Sequence, residues 1–233
     1  MHQTRDDFTA TGYTVSPVSL TMAELDLMRH VCETLLAEPA EDGGEGKHTI
    51  GLGQRRRFLA HRHEEFPELE ECLLRGTPAR IAAELLGGSA YLFNEQFVVK
   101  GARKGASFAW HQDGAYVGFD HKPYVTIWIA LDEATVANGC VLILPRDLRT
   151  EGHLDPHKWQ DETNELNGYF GDEPGIPVEC PAGSVVAFSS LTLHRSGENT
   201  TDAPRRAFIA QYSPEVIIDP ATGAPKRYAK PVG

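Results

Sequence analysis

Cysteine is scarce in this sequence, and the few cysteines are scattered. Cys32, Cys72, Cys140 and Cys180 lie far apart and form no C-x-x-C pair. This spacing indicates neither a disulfide framework nor a zinc knuckle. We therefore expect a protein of a reducing compartment and predict a cytoplasmic location.

Basic residues and long apolar runs are scarce as well. The 22 basic residues are outnumbered by 33 acidic ones, which gives a formal net charge of -11 and disfavours a nucleic acid or an anionic membrane as partner. The longest apolar runs, such as VTIWIAL, are far shorter than the ~18 residues of a membrane span, and the N-terminus shows no secretory signal pattern. We predict a small-molecule substrate, no nucleic-acid partner and no membrane association, and the sequence leaves the oligomeric state open.

Residue patterns divide the chain into a helical part and a strand-rich part. SLTMAELDLMRHVCETLLAE, FPELEECLLRG and TPARIAAELLGG have the periodicity and the terminal residues of helices. From residue 90, short β-rich runs alternate with Gly, Pro, Asn and Asp, which favours a sandwich or barrel. We predict one mainly β domain over 1–233, with a helical part at about 1–89, a barrel at about 90–215 and a tail at 216–233.

One long connection interrupts the strand-rich part. RDLRTEGHLDPHKWQDETNELNGYFGDEPGIP is too polar to pack as core. Loops of this length are often functional lids or mobile segments. We therefore predict that the connection between Pro145 and Pro177 covers the mouth of a binding site.

A candidate half of a metal site lies in SFAWHQDGAYVGF, residues 107–119. In an extended strand, residues two apart share a face, so His111 and Asp113 would project together between the small residues Ala109 and Ala115. A ring nitrogen and a carboxylate at this spacing suit a shared metal ion, and a hydrogen-bonded core pair fits equally well.

A second H-x-D pair, His153 and Asp155, lies in the polar connection. Gly152 and Pro156 flank it, so no rigid element would hold both side chains in position. We interpret this pair as incidental.

His194 offers a third ligand. We expect it at the end of an apolar strand in PAGSVVAFSSLTLHRSGENTTDAPRRAF, and Arg205 comes shortly after it. Two imidazoles and one carboxylate form the facial triad that leaves open positions on non-haem Fe(II). A buried arginine beyond the distal histidine suits a bidentate grip on a carboxylate.

Several motifs in one order carry a family resemblance. With NEQFVVK, WHQDGAY, VTIWIALDEATVANGCVLILP, PAGSVVAFSSLTLHRSGENTT and RRAF, the chain resembles the phytanoyl-CoA dioxygenase family of Fe(II)- and 2-oxoglutarate-dependent oxygenases. The resemblance implies a double-stranded β-helix, which is a jelly-roll, cupin-like barrel with flanking helices. It also implies that His111, Asp113 and His194 bind Fe(II) and that Arg205 binds the 2-oxoglutarate carboxylate. The implied reaction consumes O₂, releases succinate and CO₂, and oxidises a C–H bond of a metabolite or natural-product intermediate, most often by hydroxylation.

Strand alternation suggests further site residues on the inward face. Gln96 is the first choice for a co-substrate or substrate contact, because a polar residue on an inward barrel face needs a partner. The Thr126 hydroxyl could join Arg205 on the carboxylate, although ordinary strand packing explains Thr126 and Trp128 equally well. Arg206, as the neighbour of Arg205 on a strand, should face outward. The substrate-pocket candidates are Asn94, Lys100, Trp128 and Tyr116.

Two other functions share this fold. A halogenase would need an open iron position where chloride replaces the carboxylate, and Asp113 argues against it. A cupin-like metal-binding or isomerase module would use the metal without redox chemistry, and Arg205 would then have no dicarboxylate to bind.

The basic run QRRRFLAHRH, residues 54–63, is the last feature with a functional interpretation. It could meet an anionic substrate group, but a charge run is more often a solvated face. We expect the solvated face.

Overall fold

The computed structural model describes residues 2–38, 56–103 and 105–233. Two antiparallel sheets face each other as a jelly roll, and helices cover the outer face of the larger sheet. This arrangement confirms the predicted mainly β fold with N-terminal helices. No helix within the described ranges is long and apolar enough to cross a membrane.

Four helices precede the main strands. They are α1 (His2–Thr11), α2 (Met22–Ala37), α3 (Pro67–Arg75) and α4 (Thr77–Leu86). The three predicted helices are confirmed: Thr21 caps α2 in a capping box with Glu24, and α4 ends at Gly87 in the left-handed region. The sequence did not predict α1, which buries little apolar surface.

The larger sheet has seven strands. They are β1 (Tyr13–Val15), β2 (Arg56–Ala60), β3 (Tyr91–Lys100), β5 (Val125–Ala130), β10 (Val185–Ser189), β12 (Arg205–Ser213) and β13 (Lys230–Pro231). Their order is β1-β10-β5-β12-β3-β13, and β2 also pairs with β3. The segment predicted as helical thus contributes β1 and β2, and the C-terminal tail contributes β13. Apolar residues on one face pack against the helices, and the other face lines the interior.

The smaller sheet holds the two histidines of the predicted site. Its strands are β4 (Phe108–His111), β6 (Val141–Ile143), β9 (Ile176–Val178) and β11 (His194–Ser196), in the order β4-β11-β6-β9. Two local expectations are corrected here. His194 begins β11 and does not end the apolar strand, because a turn intervenes after Ser189. Asp113 begins a 3₁₀ turn, Asp113–Tyr116, so strand alternation stops at His111.

The long connection is more ordered than its composition indicates. It contains α5 (Leu148–Glu151) and a hairpin of β7 (Lys158–Gln160) and β8 (Glu165–Asn167). Glu165 is buried and pairs with Arg56 at 3.2 Å. Because Arg56 belongs to the basic run, the solvated face expected there is wrong for this residue. Arg62 of the same run is buried as well, and residues 54 and 55 lie outside the described ranges.

Candidate metal centre and active site

Three potential ligands lie close together inside the barrel. His111 and His194 are directly paired on β4 and β11. The Nε2 atoms of His111 and His194 lie 3.5 Å and 3.6 Å from Asp113 Oδ1. One ligand atom from each residue lies within 4.8 Å of the other two. The structure therefore gathers the three residues that the sequence selected, although 83 positions separate the first from the last.

Both imidazoles present Nε2 to the centre of the triad. His111 Nδ1 lies 2.8 Å from the Ala109 carbonyl oxygen, and His194 Nδ1 lies 3.0 Å from the Thr192 carbonyl oxygen. A carbonyl accepts only a proton donor, so Nδ1 carries the hydrogen and Nε2 keeps its lone pair. Burial, with a smaller contribution from His111, lowers the pKa of His194 to about 4. The ring is therefore neutral, as a metal ligand must be.

A hydrogen-bond chain fixes the orientation of Asp113. Its Oδ2 accepts from Thr126 Oγ1 at 2.6 Å and from Gln211 Nε2 at 2.9 Å. Gln211 Oε1 accepts from Asn94 Nδ2 at 2.7 Å, and His61 completes the chain at 2.8 Å from Asn94 Oδ1. Because these donors engage Oδ2, Oδ1 remains directed at the histidines. Burial raises the pKa of Asp113, but the two histidines and Thr126 outweigh it and keep the pKa below its usual range.

The donor set suits a divalent transition metal. Two neutral imidazoles and one ionised carboxylate on one side of a cavity match the ligand type and number of the facial triad. Partners for both Nδ1 atoms and for Asp113 Oδ2 supply the outer hydrogen bonds that orient such ligands.

Arg205 is a buried cation with unused donors. Its side chain is 2% exposed, and Nη2 donates to the Gly139 carbonyl oxygen at 2.7 Å. Nε and Nη1 have no partner in the described part of the chain. Burial lowers the pKa of Arg205 to about 10. Burying such a group unpaired is costly, and a carboxylate that reached its free donors would offset that cost.

Arg206, in contrast to Arg205, is paired with carboxylates. It donates to Asp132 Oδ1 at 2.7 Å and to Glu33 Oε1 at 2.8 Å, outside the barrel. The predicted register of the two arginines on β12 is therefore observed.

A cavity of about 310 Å³ joins these groups. The three potential ligands, Arg205 and Gln211 line it, together with a largely apolar wall. The apolar lining residues include Phe58, Phe93, Val98, Phe108, Tyr124, Trp128, Val141, Phe188 and Ile209. Small-molecule sites have this character: a mostly apolar cavity with a few convergent polar groups.

The other predicted site residues have distinct positions. Gln96 lines the cavity, and its side-chain amide makes no hydrogen bond to any described residue. Trp128 forms part of the wall, with its ring centroid 5.6 Å from the Arg205 guanidinium. Tyr116 also lines the cavity, and its hydroxyl accepts from the Leu166 amide at 3.0 Å.

Thr126 and Lys100 are placed differently from the expectation. The Thr126 hydroxyl donates to Asp113 rather than standing beside Arg205. Asn94 does line the cavity, and its side-chain amide is hydrogen-bonded to Gln211 and His61. Lys100 is 1% exposed, donates to the Gly197 carbonyl and is not among the described cavity-lining residues.

Sequence reasoning missed other residues of the cavity. Strand alternation places Gln211 on the same inward face as Arg205. This alternation is the sequence pattern that could have identified Gln211 as a site residue. Arg56 lines the cavity from the basic run, and Lys226 and Arg227 line it from the C-terminal tail. The tail has no apolar periodicity that could have placed these two residues.

The phytanoyl-CoA dioxygenase family model matches residues 8–207. The chain belongs to this family. Methylphosphonate hydroxylase from Gimesia maris is 30% identical over 89% of this chain and 78% of its own length. L-proline trans-4-hydroxylase from Streptomyces griseoviridis is 29% identical over 66% of this chain and 66% of its own length.

Solved structures agree with the fold and the cofactors of the family. EvdO2 from Micromonospora carbonacea var. aurantiaca, complexed with 2-oxoglutarate, is 29% identical and covers 94% of both chains with a TM-score of 0.71. With the family match and the clustered histidines and aspartate, the chain is an Fe(II)- and 2-oxoglutarate-dependent oxygenase that uses O₂.

Proposed function

We propose that this enzyme hydroxylates a C–H bond of a small-molecule metabolite or natural-product intermediate, with His111, Asp113 and His194 as the iron ligands. The observation that carries the proposal is the presence of this triad and an unpaired buried arginine in one cavity. The two curated relatives, named as hydroxylases of a phosphonate and of an amino acid, support a small substrate.

Arg205 would hold the distal carboxylate of 2-oxoglutarate. Its two free nitrogens suit a bidentate contact, and the Gly139 carbonyl keeps the guanidinium in place. Trp128 would wall this end of the cavity, and the free amide of Gln96 would contact the co-substrate or the substrate. Thr126 would act through Asp113, which it already orients.

Bound Fe(II) would supply the activation of O₂, coupled to the conversion of 2-oxoglutarate into succinate and CO₂. The chain's own residues do the remaining work. The triad would hold the metal at one side of the cavity, Thr126 and Gln211 orient Asp113, and the apolar wall excludes water from the reacting C–H bond.

Four buried free cysteines support a cytoplasmic location, because reducing compartments keep thiols unpaired. The strands contributed by the N-terminal part and by the tail support the proposal that residues 1–233 form one domain.

A non-redox cupin-like module is the alternative. Such a module would bind no dicarboxylate, so Arg205 would stay buried without a partner. The two unpaired nitrogens of Arg205 therefore argue against this alternative. The test is to add Fe(II), O₂ and 2-oxoglutarate without substrate and to measure slow succinate release. We expect release that depends on Fe(II), together with a visible metal-to-ligand band in the oxygen-free complex. A protein that binds Fe(II) but shows neither signal is not an oxygenase of this type.

A further inference from the structure

The cavity has the opposite charge to the rest of the chain. Five basic residues line it, and Asp113 is the one carboxylate among the described lining residues. The whole chain has a formal net charge of -11. An excess of cations in an acidic protein is a local feature that raises the concentration of an anionic ligand. The five basic residues are Arg56, Arg195, Arg205, Lys226 and Arg227.

Three of the five have other partners or another assigned role. Arg205 is proposed to bind 2-oxoglutarate. Arg56 donates to Glu165 and, at 2.6 Å, to the Ser107 carbonyl oxygen. Arg195 lies 5.0 Å from the Trp110 ring centroid and donates to a backbone carbonyl. Arg56 and Arg195 are thus engaged within the protein through part of each guanidinium, and their Nε atoms, although without a partner in the described part of the chain, are buried.

Lys226 and Arg227 are free. The Lys226 ammonium lies 5.3 Å from the Phe119 ring centroid, and no described carboxylate pairs with it or with the Arg227 guanidinium. Arg227 keeps part of its surface exposed, and burial of the rest lowers its pKa. Lys230, three residues further on, is different because it pairs with Glu64 and Glu70.

The two free cations line the same cavity as the triad. Lys226 and Arg227 are among its lining residues, together with His111, Asp113 and His194. The segment is also fixed: the Lys226 amide donates to the Ile217 carbonyl oxygen at 2.8 Å, and β13 pairs with β3 shortly afterwards. The cations are therefore held at the solvent-facing edge of the cavity.

We propose that Lys226 and Arg227 bind an oxyanion group of the primary substrate, either a carboxylate or a phosphonate. This inference rests on the proposed function, because it takes the cavity as the active site. The anionic group sits at the edge of the cavity, and the apolar wall receives the part of the substrate that carries the reacting C–H bond. Two cations on one side fix the direction in which the substrate enters.

The test uses the enzyme loaded with Fe(II) and 2-oxoglutarate in the absence of oxygen. Butylphosphonate, pentanoate and the neutral pentanamide are titrated separately, and the change in the visible metal-to-ligand band is followed. We expect at least one of the two anions to perturb the band at a concentration at least tenfold lower than pentanamide. The anion that acts at the lower concentration identifies the oxyanion.

Variants connect this selectivity to the two residues. In the Lys226→Gln/Arg227→Gln double variant, we expect the half-saturating concentration of the preferred anion to rise at least tenfold, while 2-oxoglutarate still forms the band. Lys226→Arg/Arg227→Lys retains both charges and should restore most of the affinity. Lys122→Gln removes a nearby cation that pairs with Glu215, and it should change nothing.

The outcomes separate this inference from the proposed function. If the band does not form in the parent enzyme, the proposed function fails and this inference fails with it. If the band forms, the inference is overturned by an equal response to the amide, by no response to either anion, or by unchanged anion binding in the double variant. Loss of the band on adding the anion also overturns it, because the anion would then be displacing 2-oxoglutarate.

Discussion

Lys100 and Arg205 lie directly opposite each other on β3 and β12, and both side chains are almost fully buried. Arg56 occupies the matching position on β2, so three basic side chains stand in one row across three strands. Among these three, a described carboxylate, Glu165, pairs only with Arg56. Burying basic groups with so little compensation is costly. It favours the neutral form of Lys100, and a dianionic co-substrate would offset part of the cost of burying the charge of Arg205.

Arg205→Lys should weaken 2-oxoglutarate binding. The substitution keeps the charge but removes the planar pair of donors. We expect affinity to fall by about tenfold or more, or about 1.4 kcal/mol, in titrations of the oxygen-free Fe(II) enzyme that follow the visible band. Arg206→Lys is the matched control, because Arg206 binds Asp132 and Glu33 outside the barrel. A larger loss at Arg206 would show that the assignment of the clamp is wrong.

Lys100→Met should stabilise the protein without 2-oxoglutarate, in a pH-dependent way. Burial first, and then Arg205 and Arg56, lower the pKa of Lys100 from its ordinary value of 10.5 to about 6. Between these values the unfolded chain holds a proton that the folded protein lacks, so the contribution of Lys100 to stability rises with pH by up to about 1.4 kcal/mol per unit.

The advantage of the Met variant should therefore be largest below pH 6 and should shrink towards pH 10. At pH 7 we expect a gain of about 1 kcal/mol or more. Denaturant unfolding of both proteins at several pH values measures it. A constant difference between pH 6 and pH 10 would contradict a depressed pKa at Lys100.

Asp113→Ala should abolish turnover and weaken Fe(II) binding, because it removes the one carboxylate of the triad. Asp155→Ala tests the second H-x-D pair. Asp155 lies 2.6 Å from Arg146, and its loss removes a partly exposed ion pair worth about 1 kcal/mol or less. Succinate formation and Fe(II) titration should therefore separate the two variants. Equal losses in both would refute the ligand assignment.

Gln211→Leu should loosen the metal site without removing a ligand. Gln211 donates to the Asp113 oxygen that faces away from the histidines, and such outer contacts are worth about 10-fold to 100-fold in metal affinity. We expect about a tenfold weaker Fe(II) affinity in a chelator competition assay. Gln96→Leu is the control, because Gln96 lines the same cavity without contacting Asp113. Its Fe(II) affinity should equal that of the parent.

Glu165→Ala should open the hairpin of the long connection. Glu165 and Arg56 form a buried pair, and removing one member of such a pair costs about 3–5 kcal/mol because the other charge stays buried. Limited proteolysis should cut between Pro145 and Pro177 faster in this variant than in the parent. Glu162→Ala changes an exposed residue of the same hairpin and should be cut like the parent.

The same assay tests whether the connection covers the site. Trp159 and Asn164 of the hairpin line the cavity. Fe(II) and 2-oxoglutarate with a bound substrate should therefore slow cutting in the parent. Cutting at the same rate with and without these ligands would count against a lid.

Local patterns explain which parts of the fold were predictable. Helices α2 to α4 have regular apolar spacing and recognisable ends, and the inward face of β12 follows strand alternation from Arg205 to Gln211. Asp113 was selected by its spacing from His111, although a 3₁₀ turn and not a strand positions it. The choice of Asp113 did not depend on the strand geometry, because the order of the family motifs also indicated this residue.

The features that escaped prediction depend on contacts between distant parts of the chain. Arg56 looked like part of a solvated charge run, but pairing of β2 with β3 and a carboxylate from the long connection bury it. Lys226 and Arg227 reach the cavity because β13 adds to the edge of the larger sheet. No sequence pattern near Arg56, or near Lys226 and Arg227, indicates that these residues line the cavity.

The proposed substrate contacts in the C-terminal segment lie apart from the metal ligands along the chain. The family match ends at residue 207, after the triad and Arg205, whereas Lys226 and Arg227 follow it. The metal ligands and the proposed co-substrate clamp thus lie within the part of the chain that the family model covers, and the proposed substrate contacts lie in a short stretch beyond it. Exchanging that stretch between relatives would be a direct way to redirect the enzyme without rebuilding its barrel.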